Sequence, residues 1–229
     1  LVIGGGLVGA ASALRLQTAG VSTVLIDPGD KRRGASFGNA GHIGAEQVMP
    51  WSTWGNLASA PAHLFGAGGP LDFRWRDIGL WAPWSLRFTA ASDPKRVAAS
   101  HAALTAILRD AMGAWQRLET LADMPGMVRP HGQANLYMSA EAGDRAHELW
   151  SRTPIGACSH RNMTAAELAR YECVLRQAPA SGLHFDGTGQ VSDPQGARDG
   201  IMAKLAALGG EIVIDSVDTL NANASVRLR

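Results

Sequence analysis

Near its start the chain reads LVIGGGLVGAASALRLQTAGVSTVLID, with Gly4, Gly6 and Gly9 at the G-x-G-x-x-G spacing. The chemistry open to such residues is capture of a pyrophosphate by backbone N–H groups, since glycine leaves the chain bare where the ligand must approach. Gly4 permits a tight strand-to-helix turn, Gly6 admits the phosphates, and Gly9 lets the helix lie close on the strand. Ala10 to Ala19 continue as a helix of small and aliphatic residues, whose N-terminus aims its unpaired amides at the anion. Asp27 closes the next β-branched run, about 20 positions after the glycines, where a ribose hydroxyl needs an acceptor. An acid there favours the unphosphorylated adenosine ribose of NAD or FAD over that of NADP.

The residues after Asp27 separate those two cofactors. A nicotinamide domain leads from its second strand into another helix, but here the chain runs DPGDKRRGASFGNAGHIGAEQ, too broken by Gly, Pro and Asn for one. Ser36 and Asn39 are short polar groups, while Gly38, Ala40, Gly41 and Gly44 remove side chains that would block a large flat ligand. The segment suits a backbone laid along a flavin, and FAD is therefore the expected cofactor. An ordinary flexible loop is the competing reading of the same residues.

GGGLVGAASALRLQTAGVSTVLID followed by ASFGNAGHI resembles the flavin-dependent D-amino-acid dehydrogenases, within the wider group of D-amino-acid, glycine and sarcosine oxidases. A later stretch, TGQVSDPQGARDGIMAKLAALGGEIVIDSVDTL, is similar to that family's order of glycine turn, helix, strand and short second strand. The resemblance implies that Gly4, Gly6, Leu7, Val8 and Gly9 hold the pyrophosphate and that Asp27 and Pro28 sit at the adenosine ribose. It implies that Ser36, Asn39, Ala40, Gly41, His42 and Ile43 follow the flavin toward its ring, and that Val217 lies at the adenine edge. Pro28 departs from the family, which commonly has a basic residue after the acid, and His42 stands where Gln or an apolar residue is usual. The implied activity is bacterial amino-acid catabolism by oxidative deamination, with hydride passing to the flavin and electrons on to a carrier such as a quinone or to oxygen. Alternatives are a glycine- or sarcosine-type amine oxidase and an inactive nucleotide-binding fragment. The chain is expected to be incomplete at both ends, with the substrate-carboxylate clamp and the catalytic residues beyond it.

These groups need elements to carry them. The expected fold is α/β: a Rossmann-like FAD-binding domain, discontinuous over residues 1–50 and 180–229, with an inserted α+β substrate domain at 51–179. Asp93-Pro94 starts a helix by N-cap logic, and Val97, Leu104, Ile107, Leu108, Ala111, Met112, Trp115 and Leu118 continue one stripe until Pro125-Gly126 stops it. His101 beside that stripe reads as a packed or solvated side chain. GQANLYM predicts a strand, Ala140–Ser151 a short helix, and Thr164 with Glu167 a capping box. Asp193-Pro194 predicts a further helix, with Arg198, Ile201, Leu205 and Leu208 on one side and Gly209-Gly210 at its end.

At 229 residues there is enough chain for a substantial core, and a net charge of +1 speaks against nucleic-acid binding. Two cysteines without metal-spaced histidines point to a reducing compartment, no metal and a cytoplasmic location. The stretch LDFRWRDIGLWAPWSLRF, Leu71–Phe88, mixes Trp75, Trp81 and Trp84 with Arg74, Arg76 and Arg87. Such a mixture can line the face of a bacterial inner membrane, making the protein peripheral there, or fill the core of the substrate domain.

Overall fold

The computed structural model describes residues 1–30, 34–65, 74–220 and 226–228. Val2–Ile3 (β1), Leu7–Thr18 (α1) and Val24–Asp27 (β2) form the expected strand–helix–strand unit, and His42–Ile43 (β3) follows. The helices Trp54–Phe65 (α2), Ile78–Ala91 (α3), Pro94–Leu108 (α4) and Ala111–Ala122 (α5) come next, with a single 3-10 turn, Trp75–Asp77, before α3. Val128–Arg129 (β4), Gln133–Tyr137 (β5), Ala140–Arg152 (α6), Ser159–Asn162 (β6), Ala165–Ala169 (α7) and Ser181–Asp186 (β7) lead to Gly189–Val191 (β8). Pro194–Ala207 (α8), Glu211–Ile214 (β9), Val217–Leu220 (β10) and Val226–Leu228 (β11) complete the order.

The chain divides into two compact units, residues 1–44, 111–133 and 188–229, and residues 45–110 and 134–187. In the first, β1, β2 and β9 make a parallel sheet in that order, with Val24 opposite Glu211 and Asp27 opposite Ile214. Parallel strands need a crossover, and α1 supplies it between β1 and β2. Its Ala10, Ala13 and Leu14 are fully buried in one cluster with Leu25 of β2, Ala122 of α5, and Ile201 and Leu205 of α8. Each such Leu or Ile contributes about 1.5–3 kcal/mol by leaving water. Gln17 joins three segments: its Nε2 donates to the Leu208 carbonyl at 2.9 Å, and its Oε1 accepts from the Thr23 N–H at 3.0 Å. Helix α8 begins as its sequence dictates, with Asp193 Oδ1 accepting from the N–H groups of Gln195 at 3.0 Å and Gly196 at 2.9 Å. A second sheet, β3-β8-β4, is antiparallel and covers a smaller cluster of Ile43, Met127, Val128, Val191 and Ala197.

In the second unit, β5, β7 and β6 form a sheet with β7 central, burying Leu183 and Phe185, and the Trp150 ring of α6 meets Phe185 edge-on at 4.9 Å. The capping box of α7 is complete: Thr164 accepts from the Glu167 N–H, and the Glu167 carboxylate accepts from the Thr164 N–H at 2.8 Å. Arg161 grips the same carboxylate at 2.7 Å and holds it well below the usual acid range, hydrogen bonding being the main cause.

Three sequence expectations are corrected. The single helix expected from Asp93 to Leu118 breaks at Arg109–Asp110 into α4 and α5, and α5 ends at Asp123, whose φ of 58° is left-handed. Residues 111–133 accordingly leave the span 51–179 and join the first unit, because Leu118, Leu121 and Ala122 are drawn into the α1–α8 cluster. The reading of Leu71–Phe88 as core also fails for its described part (residues 71–73 lie outside the described residues): α3 buries none of its residues.

Gly9 carries the tightest contact of the first unit, since a β-carbon there would collide with the backbone carbonyl of Gly4. Backbone cannot yield as a side-chain tip can. Gly9→Ala should cost about 1–3 kcal/mol of stability, read as a lower urea midpoint with an unchanged m value.

Candidate functional site

The site is built where the first glycine turn meets the end of β2. Gly4 opens the turn at φ +96°, a conformation that favours glycine, and its N–H donates to the Ile26 carbonyl at 2.8 Å. Helix α1 then starts from Gly6 with no side-chain cap on that residue and no acid in its first turn. The N–H groups at this end carry the positive pole of the helix dipole.

Asp27 binds this turn rather than standing free beside it. Its Oδ2 accepts the Gly5 N–H at 2.7 Å, and its Oδ1 accepts the Gly29 N–H at 2.9 Å. Arg198 of α8 brings Nη2 to 3.4 Å from Oδ1 and donates from Nε to the Gly5 carbonyl. An ionised carboxylate offers about four lone-pair positions. Among the described residues Oδ2 has one contact and Oδ1 two, so Oδ2 retains capacity for a hydroxyl.

The second glycine-rich segment reaches the first through Ser36, whose Oγ accepts the Leu7 N–H at 3.0 Å. That places a hydroxyl at the mouth of α1, 3.4 Å from where a β-carbon on Gly6 would sit. The result is a cavity of about 170 Å³ lined by Gly5, Gly6, Asp27, Pro28, Asp30, Gly34, Ser36, Gln195 and Arg198.

Of the residues singled out from sequence, the structure gathers Gly6, Asp27, Pro28 and Ser36 around that cavity. Gly4 and Gly9 shape the turn behind it. Leu7 and Val8 line a separate groove of about 480 Å³ between α1 and α5, with Ala11, Trp115, Leu118 and Leu121. Asn39 to Ile43 form their own local structure. Asn39 Oδ1 accepts the Gly41 N–H at 2.7 Å, Gly41 turns at φ +78°, and its carbonyl accepts the Val191 N–H at 2.7 Å. Gln190 Nε2 donates to the Ala40 carbonyl at 3.2 Å, and His42 pairs with Gln190 on β3 with its side chain exposed. Val217 opens β10 opposite Leu228 and does not line the cavity.

Sequence reading missed Arg198 as a site residue, along with Gly5, Gln195, Asp30 and Gly34. The signal was present for Arg198: a charge set among Ala197, Ile201 and Leu205, all of which are buried.

Other reactive groups are quiet. Burial first, and the Glu46 carboxylate second, push the Cys158 thiol up to about 11, so it stays protonated at neutral pH and is a poor nucleophile. Among the described residues no three His, Cys, Asp or Glu groups converge as metal ligands.

The family whose sequence pattern matches is DAO, described as FAD dependent oxidoreductase, over residues 1–227. The chain belongs to this family. A D-amino-acid oxidase from Bradyrhizobium diazoefficiens is 28% identical over 227 residues, which cover 98% of this chain and 52% of that protein. A D-amino acid dehydrogenase from Paramagnetospirillum magneticum is 41% identical over 96 residues, 39% of this chain and 22% of that one. Glycine oxidase from Geobacillus kaustophilus shares the fold, with a TM-score of 0.55 at 19% identity over 99% of this chain and 49% of that structure. This DAO-family chain thus spans about half the length of the D-amino-acid oxidase that it matches.

Ser36 offers a test of the join between the two segments. Ser36→Ala removes the acceptor of a helix-start amide, and such losses cost about 0.5–2 kcal/mol. Thermal unfolding should move down accordingly, while circular dichroism keeps its native shape.

Proposed function

We propose that the protein binds FAD along its first unit and, with it, oxidises the C–N bond of an amino acid, a D-amino acid in the first instance. The observation that carries the reading is the cavity at Asp27. A helix start without an acid, bare glycine backbone at Gly5 and Gly6 and a carboxylate with capacity left on Oδ2 form a donor and acceptor set suited to a ribose and a pyrophosphate. At about 170 Å³ it takes only part of a dinucleotide, being smaller than the roughly 300–1,000 Å³ usual for small-molecule sites.

In this proposal Gly4, Gly6 and Gly9 shape the phosphate turn, and the amides of Leu7 and Val8 supply the helix dipole. Asp27 accepts from the adenosine ribose, with Pro28 as an apolar wall. Ser36 holds the helix start and turns its hydroxyl proton toward the phosphates. Asn39, Ala40, Gly41, His42 and Ile43 lead along the flavin, and Val217 meets the adenine edge. When bound, FAD supplies the two-electron acceptor for oxidation of the amino acid to an imino acid, which water hydrolyses to a keto acid and ammonia. The protein's part is to position and to exclude. The relatives named as D-amino-acid oxidase and D-amino acid dehydrogenase support the substrate class.

The purified protein should be yellow and release FAD on denaturation, and Gly6→Val should leave it colourless. Asp27→Ala should weaken FAD binding about 10–150-fold, the equivalent of one charge-assisted hydrogen bond at 1.5–3 kcal/mol, in a titration of the apoprotein. Protein that stays colourless in excess FAD yet binds NADH would overturn the flavin reading. D-amino acids, glycine and sarcosine assayed in parallel, with dye reduction and oxygen uptake both followed, separate the dehydrogenase from the amine oxidase.

A second reading concerns place in the cell: a cytoplasmic protein, peripheral on the inner membrane, that passes electrons to a quinone. No helix among the described residues is long and apolar enough to cross a membrane. What supports a peripheral position is α3 with the turn before it, where Trp75 is 74% and Leu80 79% exposed, beside Arg74, Arg76 and Arg87. Trp75 meets Trp81 edge-on at 6.0 Å, and Trp84 stacks on Phe88 at 5.0 Å. Amphipathic rings beside arginine suit a headgroup layer. Flotation with anionic liposomes should carry the protein upward, and Trp75→Ser with Leu80→Ser should abolish it. Failure of the wild type to float removes this reading.

A further inference from the structure

We propose that Arg198 is a positioning residue for the dinucleotide turn, fixing the Gly5 peptide and the Asp27 carboxylate in the arrangement that receives ribose and pyrophosphate; this rests on the FAD reading above. The side chain of Arg198 is only 9% exposed, and a buried charge is costly unless paired. Every nitrogen of its guanidinium is engaged. Nε donates to the Gly5 carbonyl, Nη2 lies 3.4 Å from Asp27 Oδ1, and Nη1 donates to Asp199 Oδ1 at 3.0 Å.

The contacts close a circuit. The Gly5 N–H goes to Asp27 Oδ2 at 2.7 Å, Asp27 Oδ1 faces Arg198, and Arg198 returns to the Gly5 carbonyl. Both polar groups of Gly5 are thereby held by one ion pair. A trans peptide is planar, so fixing the Gly5 carbonyl also fixes the opposite direction for the Gly6 N–H. Glycine would otherwise let that peptide rotate freely, because no side chain restricts it.

The charge has a second effect. The Asp27 carboxylate lines the cavity, and a carboxylate repels the anion that the helix start attracts. Arg198 brings a cation to that carboxylate from 171 residues further along the chain. It acts through Asp27 and Gly5, and through the field in the cavity, not on the reacting atoms.

The test is binding of FAD, followed by flavin fluorescence, and of ADP, followed by calorimetry, to protein stripped of flavin. ADP carries the ribose and pyrophosphate without the ring. Arg198→Met should weaken both ligands by roughly tenfold or more, and Arg198→Lys should recover part of that loss, since an ammonium keeps the charge but lacks the fork. Asp27→Asn and the double variant complete a cycle, in which the double loses clearly less than the product of the single losses. Wild-type affinity in Arg198→Met, equal behaviour of Met and Lys, or losses that multiply would each overturn the proposal. If Arg198→Met does not fold, Arg198→Lys decides alone: weakened ADP binding with intact near-UV circular dichroism supports it, and unchanged binding overturns it. A wild type that binds ADP and FAD beside an unaffected variant defeats only the role of Arg198. A wild type that binds neither defeats the FAD reading, and this inference with it.

Discussion

The carboxylate of Asp27 is the point on which the first unit turns. One oxygen holds the Gly5 N–H, the other holds the Gly29 N–H and faces Arg198, and the backbone carbonyl of the same residue accepts the Asp215 N–H at 3.0 Å. The first glycine turn, the end of β2, helix α8 and the end of β9 are thus referred to one residue. A group in that position cannot serve a ligand alone. It sets the shape of the cavity through contacts within the chain itself.

Much of this unit was legible because its signals are local. Strand, glycines, helix and acid follow one another within residues 1–27, and the N-cap pair Asp193-Pro194 announces α8. The illegible parts depend on partners far away in sequence. Neither glycine nor proline stands at Arg109-Asp110, and Asp110 before α5 is a start signal easily overridden by a continuous apolar stripe that reads as one helix. Only the packing of Leu118 and Leu121 against α1 and α8 explains why α5 goes its own way. Arg198 was hidden similarly, inside a helix whose period is clear, because its meaning lies in Gly5 and Asp27.

The second unit shows how composition misleads about burial. Tryptophan and leucine in α3 look like core residues, yet among the described residues the largest fully buried side chain is Phe185, in β7. The small residues beside it matter as much as the large ones. A β-carbon on Gly143 of α6 would run into the Ser181 side chain, and one on Gly182 would come within 2.7 Å of Met163 Sδ. Helix and loop lie so near the sheet that packing there is decided by the absence of side chains.

The pairing of β2 with β9 has a consequence for synthesis on the ribosome. Val24 finds Glu211 and Asp27 finds Ile214, so the strand carrying the acid emerges long before its neighbour exists. At 5–20 residues per second the interval is about 10–40 s. During that time Leu25 and Ile26, both buried in the finished sheet, have only β1 on one side. An open strand edge of this kind can pair with other chains. That edge stays open until β9 emerges, and any delay in translation between β2 and β9 lengthens its exposure.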